Sequence, residues 1–180
     1  MQQSLAQIVG PQWVKTRPSE LAPYDADGLP GHRATPSLAV FPGNRDELIA
    51  VVRELARAGT PFVPRGAGTG LSGGALAEGV VLLGLQRLTR ILSVDPVNRT
   101  ARVEPGVVNV RLTRATAPHG LHYAPDPSSQ TACTIGGNVA ENAGGPHCLK
   151  YGVTLNHIVE CEVLLPDGTL TRFGNAHGED

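Results

Sequence analysis

The chain has 180 residues, a formal net charge of −1 and 41% hydrophobic residues. A chain of this length buries roughly 70% of its unfolded surface, which is enough for one domain with a hydrophobic core. Its basic residues are spread along the sequence, so nucleic acid and anionic membranes are not expected as partners. No apolar run reaches the length of a transmembrane segment, and the N-terminus lacks a signal-peptide pattern.

The cysteines argue against a disulfide framework or a metal site. Cys133, Cys148 and Cys161 are odd in number and lack the spacing of metal ligands. No paired cysteine or aspartate supports a metal site at His119 and His122. We therefore expect no metal, and a cytoplasmic location in which thiols stay reduced.

The first 35 residues are expected to differ from the rest. Apolar residues at helical spacing indicate a short amphipathic helix within residues 4–14. Residues 17–37 contain four prolines and no periodicity, which predicts an irregular extended segment. A structureless stretch of about twenty residues is unusual in a compact domain unless it forms a functional edge or a bridge. We therefore divide the chain into this N-terminal part and one domain over residues 36–180.

A β-α-β unit opens the predicted domain. The apolar residues 38–41 predict a buried strand, which ends at a Pro-Gly pair. Asn44 and Glu47 have the spacing of a helix capping box, and Gly59 supplies the stop of that helix. A second strand begins at Phe62. A crossover of this kind is right-handed and makes the two strands parallel.

Further elements follow in chain order. The pattern predicts an apolar strand at 80–83, a hairpin formed by 91–95 and 100–104, a helix over 109–119, and a second hairpin formed by 159–165 and 169–173. In this pattern His157 stands at the start of the first strand of the second hairpin. The predicted fold class is therefore α+β, with mixed sheets and flanking helices.

Glycines are concentrated in two blocks, at residues 66–74 and 136–145. The first block contains G-x-G-x-x-G from Gly68 to Gly73, the fingerprint of dinucleotide-binding Rossmann folds. That fingerprint requires a helix directly after the loop, and the sequence continues instead into a β-like run. The phosphate-binding P-loop pattern also fails, because the block has no lysine. What remains is a loop between strands with many free N–H groups, which suits a pair of phosphates.

Two readings stay open for neighbouring residues. Arg65 can neutralise a phosphate or form a salt bridge at the edge of the core. In the second block, short polar side chains alternate with glycines, as expected for hydrogen bonds to a flat polar ligand. Each of these polar residues taken singly also fits a helix cap or a turn.

Five motifs occur in a characteristic order. They are Pro64-Arg-Gly-Ala-Gly-Thr-Gly-Leu-Ser-Gly-Gly74, Pro125-Asp-Pro127, Thr134-Ile-Gly-Gly-Asn138, Asn142-Ala-Gly-Gly145 and Lys150-Tyr-Gly152. Through them the chain resembles the family of the glycolate oxidase D subunit and the FAD-linked D-lactate and D-2-hydroxyglutarate dehydrogenases. Members have a two-subdomain FAD-binding fold of the vanillyl-alcohol-oxidase type. The resemblance runs from about residue 36 to residue 173.

The resemblance implies which residues hold FAD. The pyrophosphate would be wrapped by Pro64, Arg65, Gly66, Ala67, Gly68, Thr69, Gly70, Leu71, Ser72, Gly73 and Gly74. The adenosine and pyrophosphate would lie along Pro125, Asp126, Ser128 and Ser129. The ribityl chain and the isoalloxazine edge would be lined by Thr134, Ile135, Gly136, Gly137, Asn138, Asn142, Gly144 and Gly145, with Gly152 in the last motif. Thr69 stands where many members carry the histidine that bonds covalently to the flavin, so non-covalent FAD is expected.

The resemblance also implies an activity for a longer protein, of which this chain would be an N-terminal fragment without the substrate domain. That activity is oxidation of a small 2-hydroxy acid by hydride transfer to flavin, with other oxidase subunits as partners. His147 is the one weak candidate for a catalytic base in this chain. Two alternatives remain: a non-catalytic nucleotide-binding or subunit-assembly module, and a reductase of nucleotide sugars with the same fold.

Overall fold

The computed structural model describes residues 1–174, and it begins with a layer of short elements. These are helix α1 (Gln2–Val9), a 3-10 turn (Pro11–Trp13), strand β1 (Val14–Lys15), helix α2 (Pro18–Leu21) and a second 3-10 turn (Ala22–Tyr24). The prediction of an irregular segment over 17–37 was therefore wrong for its first third. Pro18 occupies the first turn of α2, and Glu20 accepts a hydrogen bond from the Arg17 N–H, so local sequence signals start this helix.

A four-stranded sheet forms the centre of the first half. Its further elements are β2 (Leu38–Val40), helix α3 (Arg45–Arg57), β3 (Phe62–Arg65) and β4 (Val81–Gly84). The strand order is β1-β2-β4-β3, with β4 parallel to both neighbours and β1 antiparallel to β2. The predicted parallel orientation of β2 and β3 is confirmed, and β4 lies between them. The loops after β3 and β2 therefore leave the same edge of the sheet.

Helix α3 begins as its sequence predicts. The Asn44 side chain accepts a hydrogen bond from the Glu47 N–H at 2.9 Å, and the Glu47 carboxylate accepts one from the Gly43 N–H at 2.7 Å. The Asn44 cap satisfies one N–H group that the first turn leaves free, and the Gly43 N–H that Glu47 pairs lies just before the helix. After α3 the chain turns at Gly59, whose φ is 59°.

The main core lies between α1, α3 and one face of this sheet. Its most buried members include Leu5, Val40, Val51, Leu55 and Val81, each no more than 1% exposed. Burial of such side chains contributes about 1.5–3 kcal/mol each to folding. The sheet is thus held rigidly, and the loops at its edge start from fixed positions.

The second half of the described residues contains two hairpins and five short helical elements. They are β5 (Ile91–Asp95), β6 (Thr100–Val103), α4 (Asn109–Thr116), a 3-10 turn (Ala117–His119), α5 (Ile135–Ala140), α6 (Cys148–Tyr151), a further 3-10 turn (Thr154–His157), β7 (Glu160–Leu164) and β8 (Leu170–Gly174). Both predicted hairpins are confirmed as antiparallel pairs. The placement of His157 at the start of a strand was wrong, because it ends the 3-10 turn.

A smaller core joins α4, α5 and the first hairpin. Val107, Leu112 and Ile135 are buried there, with Tyr123 and Val139 packed against them. Gly106 joins this unit to the central sheet, since a Cβ atom at that position would lie 2.7 Å from the carbonyl oxygen of Leu88. Over residues 1–174, no helix has the length and apolarity that crossing a bilayer requires.

Candidate functional site

The first glycine loop, residues 66–74, connects β3 to β4 without a helix. This confirms that the G-x-G-x-x-G match is not a Rossmann fingerprint. Among the described residues, none of the backbone N–H groups of this loop donates to a main-chain carbonyl. Gly68 and Gly73 have φ values of 71° and 77°, which only glycine adopts without strain. The loop is therefore a run of free donors, the arrangement that binds phosphate oxygens.

The second glycine segment, residues 134–145, begins with α5. Thr134 caps this helix, because its hydroxyl oxygen accepts a hydrogen bond from the Gly137 N–H at 3.3 Å. Ile135 points into the small core and fixes one side of the helix. The interpretation of Thr134 as a helix cap is thus confirmed, and its role toward a ligand stays a prediction.

The two glycine-rich stretches contact each other. A Cβ atom on Gly66 would collide with the Thr134 hydroxyl and lie 3.9 Å from the Cα of Gly137. A Cβ atom on Gly74 would lie 2.6 Å from a carboxylate oxygen of Glu141. Glycine at these positions therefore lets the first glycine loop pack closely on the second glycine segment, in addition to any role toward a ligand.

The Pro125-Asp-Pro127 motif lies at the far end of the second glycine segment. A Cβ atom on Gly145 would collide with the carbonyl of Asp126. The buried Asn109 side chain donates to the Pro125 carbonyl at 2.9 Å and holds this motif on α4. Four of the five motifs are thus linked by contacts in one region of the surface.

Four buried polar atoms near this region have no hydrogen-bond partner among the described residues. They are Nδ2 of Asn138, a side chain only 2% exposed that lies beside the Cys133 thiol, Oδ1 of Asp126, Oδ1 of Asn109 and Oδ2 of Asp27. Buried polar atoms are nearly always paired in native proteins. Together with the free amides of the first glycine loop, Asn138 offers donors that suit the phosphate and ribityl oxygens of FAD, so these residues fit that cofactor.

Arg65 ties together the two ends of the first glycine loop. Its guanidinium donates to the Ala26 carbonyl at 2.7 Å and to the Ala75 carbonyl at 3.2 Å. The side chain is 7% exposed, and this burial lowers the pKa of Arg65, opposed by the charge of Asp27. The sequence had left open that Arg65 neutralises a phosphate or forms a salt bridge. In the structure its hydrogen-bond partners are instead main-chain carbonyl oxygens.

Asp126 and His147 form a pair that sequence reasoning missed. Nδ1 of His147 contacts Oδ2 of Asp126, and this hydrogen bond holds the pKa of the Asp126 carboxyl below its usual range. The His147 side chain is 65% exposed, which leaves its Nε2 side open. The two residues are separated by 21 positions, so no local signal could have indicated the contact.

Several other predicted residues serve local structure. Asn142 adopts φ 48° and accepts a hydrogen bond from the Leu155 N–H at 2.9 Å. Gly152 has φ 84° and lies against the side chain of Asn156. Leu71 and Ser72 are exposed at the tip of the first glycine loop, and Ser128 is exposed after the proline motif. The structure therefore does not bring Asn142 and Gly152 together with the free amides through any observed contact.

Comparison with known proteins identifies the family. Residues 36–174 match the family described as FAD binding domain. The chain belongs to this family. The glycolate oxidase subunit GlcD of Escherichia coli K12 is 52% identical over 157 residues, which cover 87% of this chain and 32% of that protein. The D-lactate dehydrogenase of Archaeoglobus fulgidus is 40% identical over 139 residues, which cover 76% of this chain and 31% of that protein.

Solved structures confirm the FAD-binding fold. Alkyldihydroxyacetonephosphate synthase superposes with a TM-score of 0.85 at 20% identity, over 99% of this chain and 35% of that one. For p-cresol methylhydroxylase the TM-score is 0.80 at 23% identity, and the match covers 95% of this chain and 34% of that one. The α+β fold of the vanillyl-alcohol-oxidase type is therefore confirmed, and FAD is the cofactor of this FAD binding domain. The chain spans about a third of the length of the curated relatives it matches.

Proposed function

We propose that this FAD binding domain holds FAD for the oxidation of a small 2-hydroxy acid of the glycolate or D-lactate type. One observation carries the proposal: the first glycine loop, with its free N–H groups, packs directly on the helix that presents the unpartnered Nδ2 of Asn138. The names of the relatives support the substrate class, since they include a glycolate oxidase subunit and a D-lactate dehydrogenase.

The proposed division of labour follows the geometry. The amides of residues 66–74 would bind the diphosphate, since a concave run of N–H groups neutralises phosphate charge without side chains. Asn138 would donate Nδ2 to an oxygen of the cofactor, and so find the partner that it lacks among residues 1–174. Thr69 has no nitrogen nucleophile, which supports non-covalent binding.

When bound, FAD supplies the hydride chemistry, and the chain positions it and shields it from water. Within this chain, His147 is the one residue we propose as a proton acceptor. With Nδ1 of His147 donating to Asp126, Nε2 is the ring nitrogen that would take a proton from a hydroxyl. The other oxygen, Oδ1, is buried beside Gly145 and has no partner among the described residues, so the contact with His147 is what orients this carboxylate.

A competition titration tests the cofactor assignment. FAD is added to the purified chain and flavin fluorescence is recorded, followed by competition with ADP and with riboflavin. Because the proposed donors hold the diphosphate, we expect ADP to displace FAD at lower concentration than riboflavin does. Displacement by riboflavin alone would contradict the placement of the diphosphate at the first glycine loop. Glycolate, D-lactate and D-2-hydroxyglutarate, tested with a form as long as the relatives, then identify the substrate.

A role in subunit assembly is a second candidate, and exposed apolar side chains favour it. Leu155 and Phe173, which are 70% and 59% exposed, line one cavity with Val159, which is 50% exposed. A contiguous apolar patch of this kind often marks an interaction site. The relative in Escherichia coli is named as a subunit, which supports partners among other oxidase subunits. Copurification of a full-length form with other oxidase subunits would show assembly. The flavin content of that assembly would then distinguish an enzyme subunit from a module that binds no cofactor. The cytoplasmic location stays a prediction.

A further inference from the structure

Residues 25–29, which we name the brace, precede the matched family region and lie against the first glycine loop. The brace is held in its own turn by three hydrogen bonds. Asp27 accepts one from the Leu29 N–H at 2.8 Å, the Asp25 carbonyl accepts one from the Ala34 N–H at 2.8 Å, and Arg33 pairs with the Asp25 carboxylate at 2.6 Å. The brace therefore has a defined shape before it meets the loop.

The contact between brace and loop is made by main chain on main chain. A Cβ atom on Gly28 would lie 2.7 Å from the carbonyl oxygens of both Thr69 and Gly70. No side chain larger than hydrogen fits there unless the loop moves. On the same side, the Leu29 side chain is 3.4 Å from the position of a Cβ atom on Gly73.

Arg65 closes the arrangement from the other side. It donates to the carbonyl of Ala26 in the brace and to the carbonyl of Ala75 where the loop ends. A Cβ atom on Gly68 would collide with its guanidinium, so the loop is also shaped around this side chain. The Thr69 carbonyl lies side-on to the brace, since its oxygen and carbon are 2.7 and 3.0 Å from the Cβ position on Gly28. The brace therefore limits how the peptide groups of Thr69 and Gly70 can be oriented.

We propose that the brace is a positioning element of the cofactor site, which sets the direction of the first-loop amides through Gly28, Leu29 and the Ala26–Arg65 hydrogen bond. The inference rests on the proposed function, because those amides would bind the diphosphate. It assigns to the N-terminal segment a role in cofactor affinity without any contact to the cofactor. Residues 25–29 and Arg65 are thus positioning residues for the loop.

Gly28→Ala tests the proposal, with Gly31→Ala as its matched control in the same segment. Gly31 has φ 80° and no heavy atom within 4 Å of a Cβ atom, so alanine strains the backbone there without touching the loop. Leu29→Ala is a milder second variant, which removes the contact with Gly73 without adding a clash. The amide resonances of residues 66–75 are compared in 15N-labelled chains without cofactor, and the affinities for FAD and ADP are measured in parallel.

We expect Gly28→Ala and Leu29→Ala to shift the amide resonances of the first glycine loop, and Gly31→Ala to leave them in place. We further expect Gly28→Ala to lower the affinity for FAD and for ADP about tenfold, since hydrogen-bond donors of a binding site must be held within about 0.5 Å of their productive positions. Unchanged loop resonances in both Gly28→Ala and Leu29→Ala would overturn the inference. If neither the unmodified chain nor a form as long as its relatives binds FAD or ADP, the proposed function fails, while the loop resonances still decide whether the brace positions the loop.

Discussion

Gly66 lies directly against Thr134, so closely that a Cβ atom on Gly66 would collide with the threonine hydroxyl. The same hydroxyl oxygen caps α5 by accepting a hydrogen bond from the Gly137 N–H. The first residue of the first glycine loop therefore contacts the residue that caps α5. This contact joins a loop of the central sheet to a helix of the smaller core, and the same helix carries Asn138 with its unpartnered Nδ2.

Replacing Gly66 by alanine should separate the two stretches. Thr134 is buried and branched at Cβ, so it cannot turn away at low cost, and overpacking of this kind costs about 1–3 kcal/mol. We expect a lower free energy of unfolding in urea and a loss of FAD affinity. Gly79→Ala is the control, because Gly79 has φ 65° with open space around it. Equal FAD affinity in both variants would show that the contact does not shape the site.

Thr134 itself should contribute to stability through its cap. Thr134→Val keeps the size of the side chain but removes the acceptor for the Gly137 N–H, and loss of a cap costs about 1 kcal/mol. Thr134→Ser retains the oxygen and should restore most of that difference. Urea unfolding followed by far-UV circular dichroism measures both. A Thr134→Val midpoint equal to that of Thr134→Ser would rule out the cap as a stabilising interaction.

Asn138 should affect cofactor affinity far more than stability. Its buried Nδ2 has no partner among the described residues, so Asn138→Leu removes an unsatisfied donor and should change unfolding by less than about 1 kcal/mol. FAD affinity should fall about ten- to hundredfold, because one hydrogen bond to the cofactor is lost.

Asn109→Leu provides the contrast to Asn138→Leu. The Asn109 side chain donates to the Pro125 carbonyl, and its removal leaves a buried acceptor unpaired at a cost of about 1–3 kcal/mol. Calorimetry and FAD titration of both variants give the comparison. A large loss of stability in Asn138→Leu would mean that the chain, and not the cofactor, uses Nδ2.

The Asp126–His147 pair predicts a dependence of stability on pH. The hydrogen bond from His147 holds the pKa of Asp126 below the ordinary value of about 3.9 in the folded chain. In the unfolded chain Asp126 then binds its proton at higher pH, so its stabilising contribution is complete above about pH 4 and is lost as the pH falls through the folded-state pKa.

Asp126→Asn should remove that part of the pH dependence. Other carboxyl groups whose pKa is lowered contribute equally to the pH dependence of both proteins. One is Glu20, whose pKa falls to about 2 because the Arg17 side chain donates a hydrogen bond to it. The difference between the two unfolding curves, measured from pH 6 to pH 3, therefore isolates Asp126. In a His147→Gln background the difference made by Asp126→Asn should be smaller. In the His147→Gln variant, 13C titration of the Asp126 carboxyl should show a higher pKa than in the unmodified chain. Parallel curves for the unmodified chain and Asp126→Asn would refute the pairing.

Local signals predicted the regular elements well. The capping residues Asn44 and Glu47 marked the start of α3, and turn residues marked both hairpins. Helix α5 was missed because Gly136 and Gly137 lower helix propensity in its first turn. A usable signal was present in the Thr134 cap, followed by Ile135 and Val139 at helical spacing. Tertiary packing against Pro105 and the small core overrides the weak propensity.

Contacts distant in sequence could not be predicted from these patterns. The motifs predicted which residues would bind FAD, an assignment that stays a prediction, but they did not indicate that Gly28 would lie against the carbonyls of Thr69 and Gly70. They also did not indicate that Glu141 lies beside Gly74, or that Asp126 holds His147. Such contacts depend on how the N-terminal segment and the second half pack on the sheet edge, which composition and periodicity do not encode.

Flavin fluorescence during titration with FAD tests the central claim most directly, namely that the two glycine-rich stretches form one diphosphate site. We expect saturable quenching at one FAD per chain, displaced by ADP, and weakened by Gly66→Ala and Asn138→Leu but not by Gly79→Ala. The contradicting result is a protein that takes up no FAD, both as residues 1–180 and when extended to the length of its relatives.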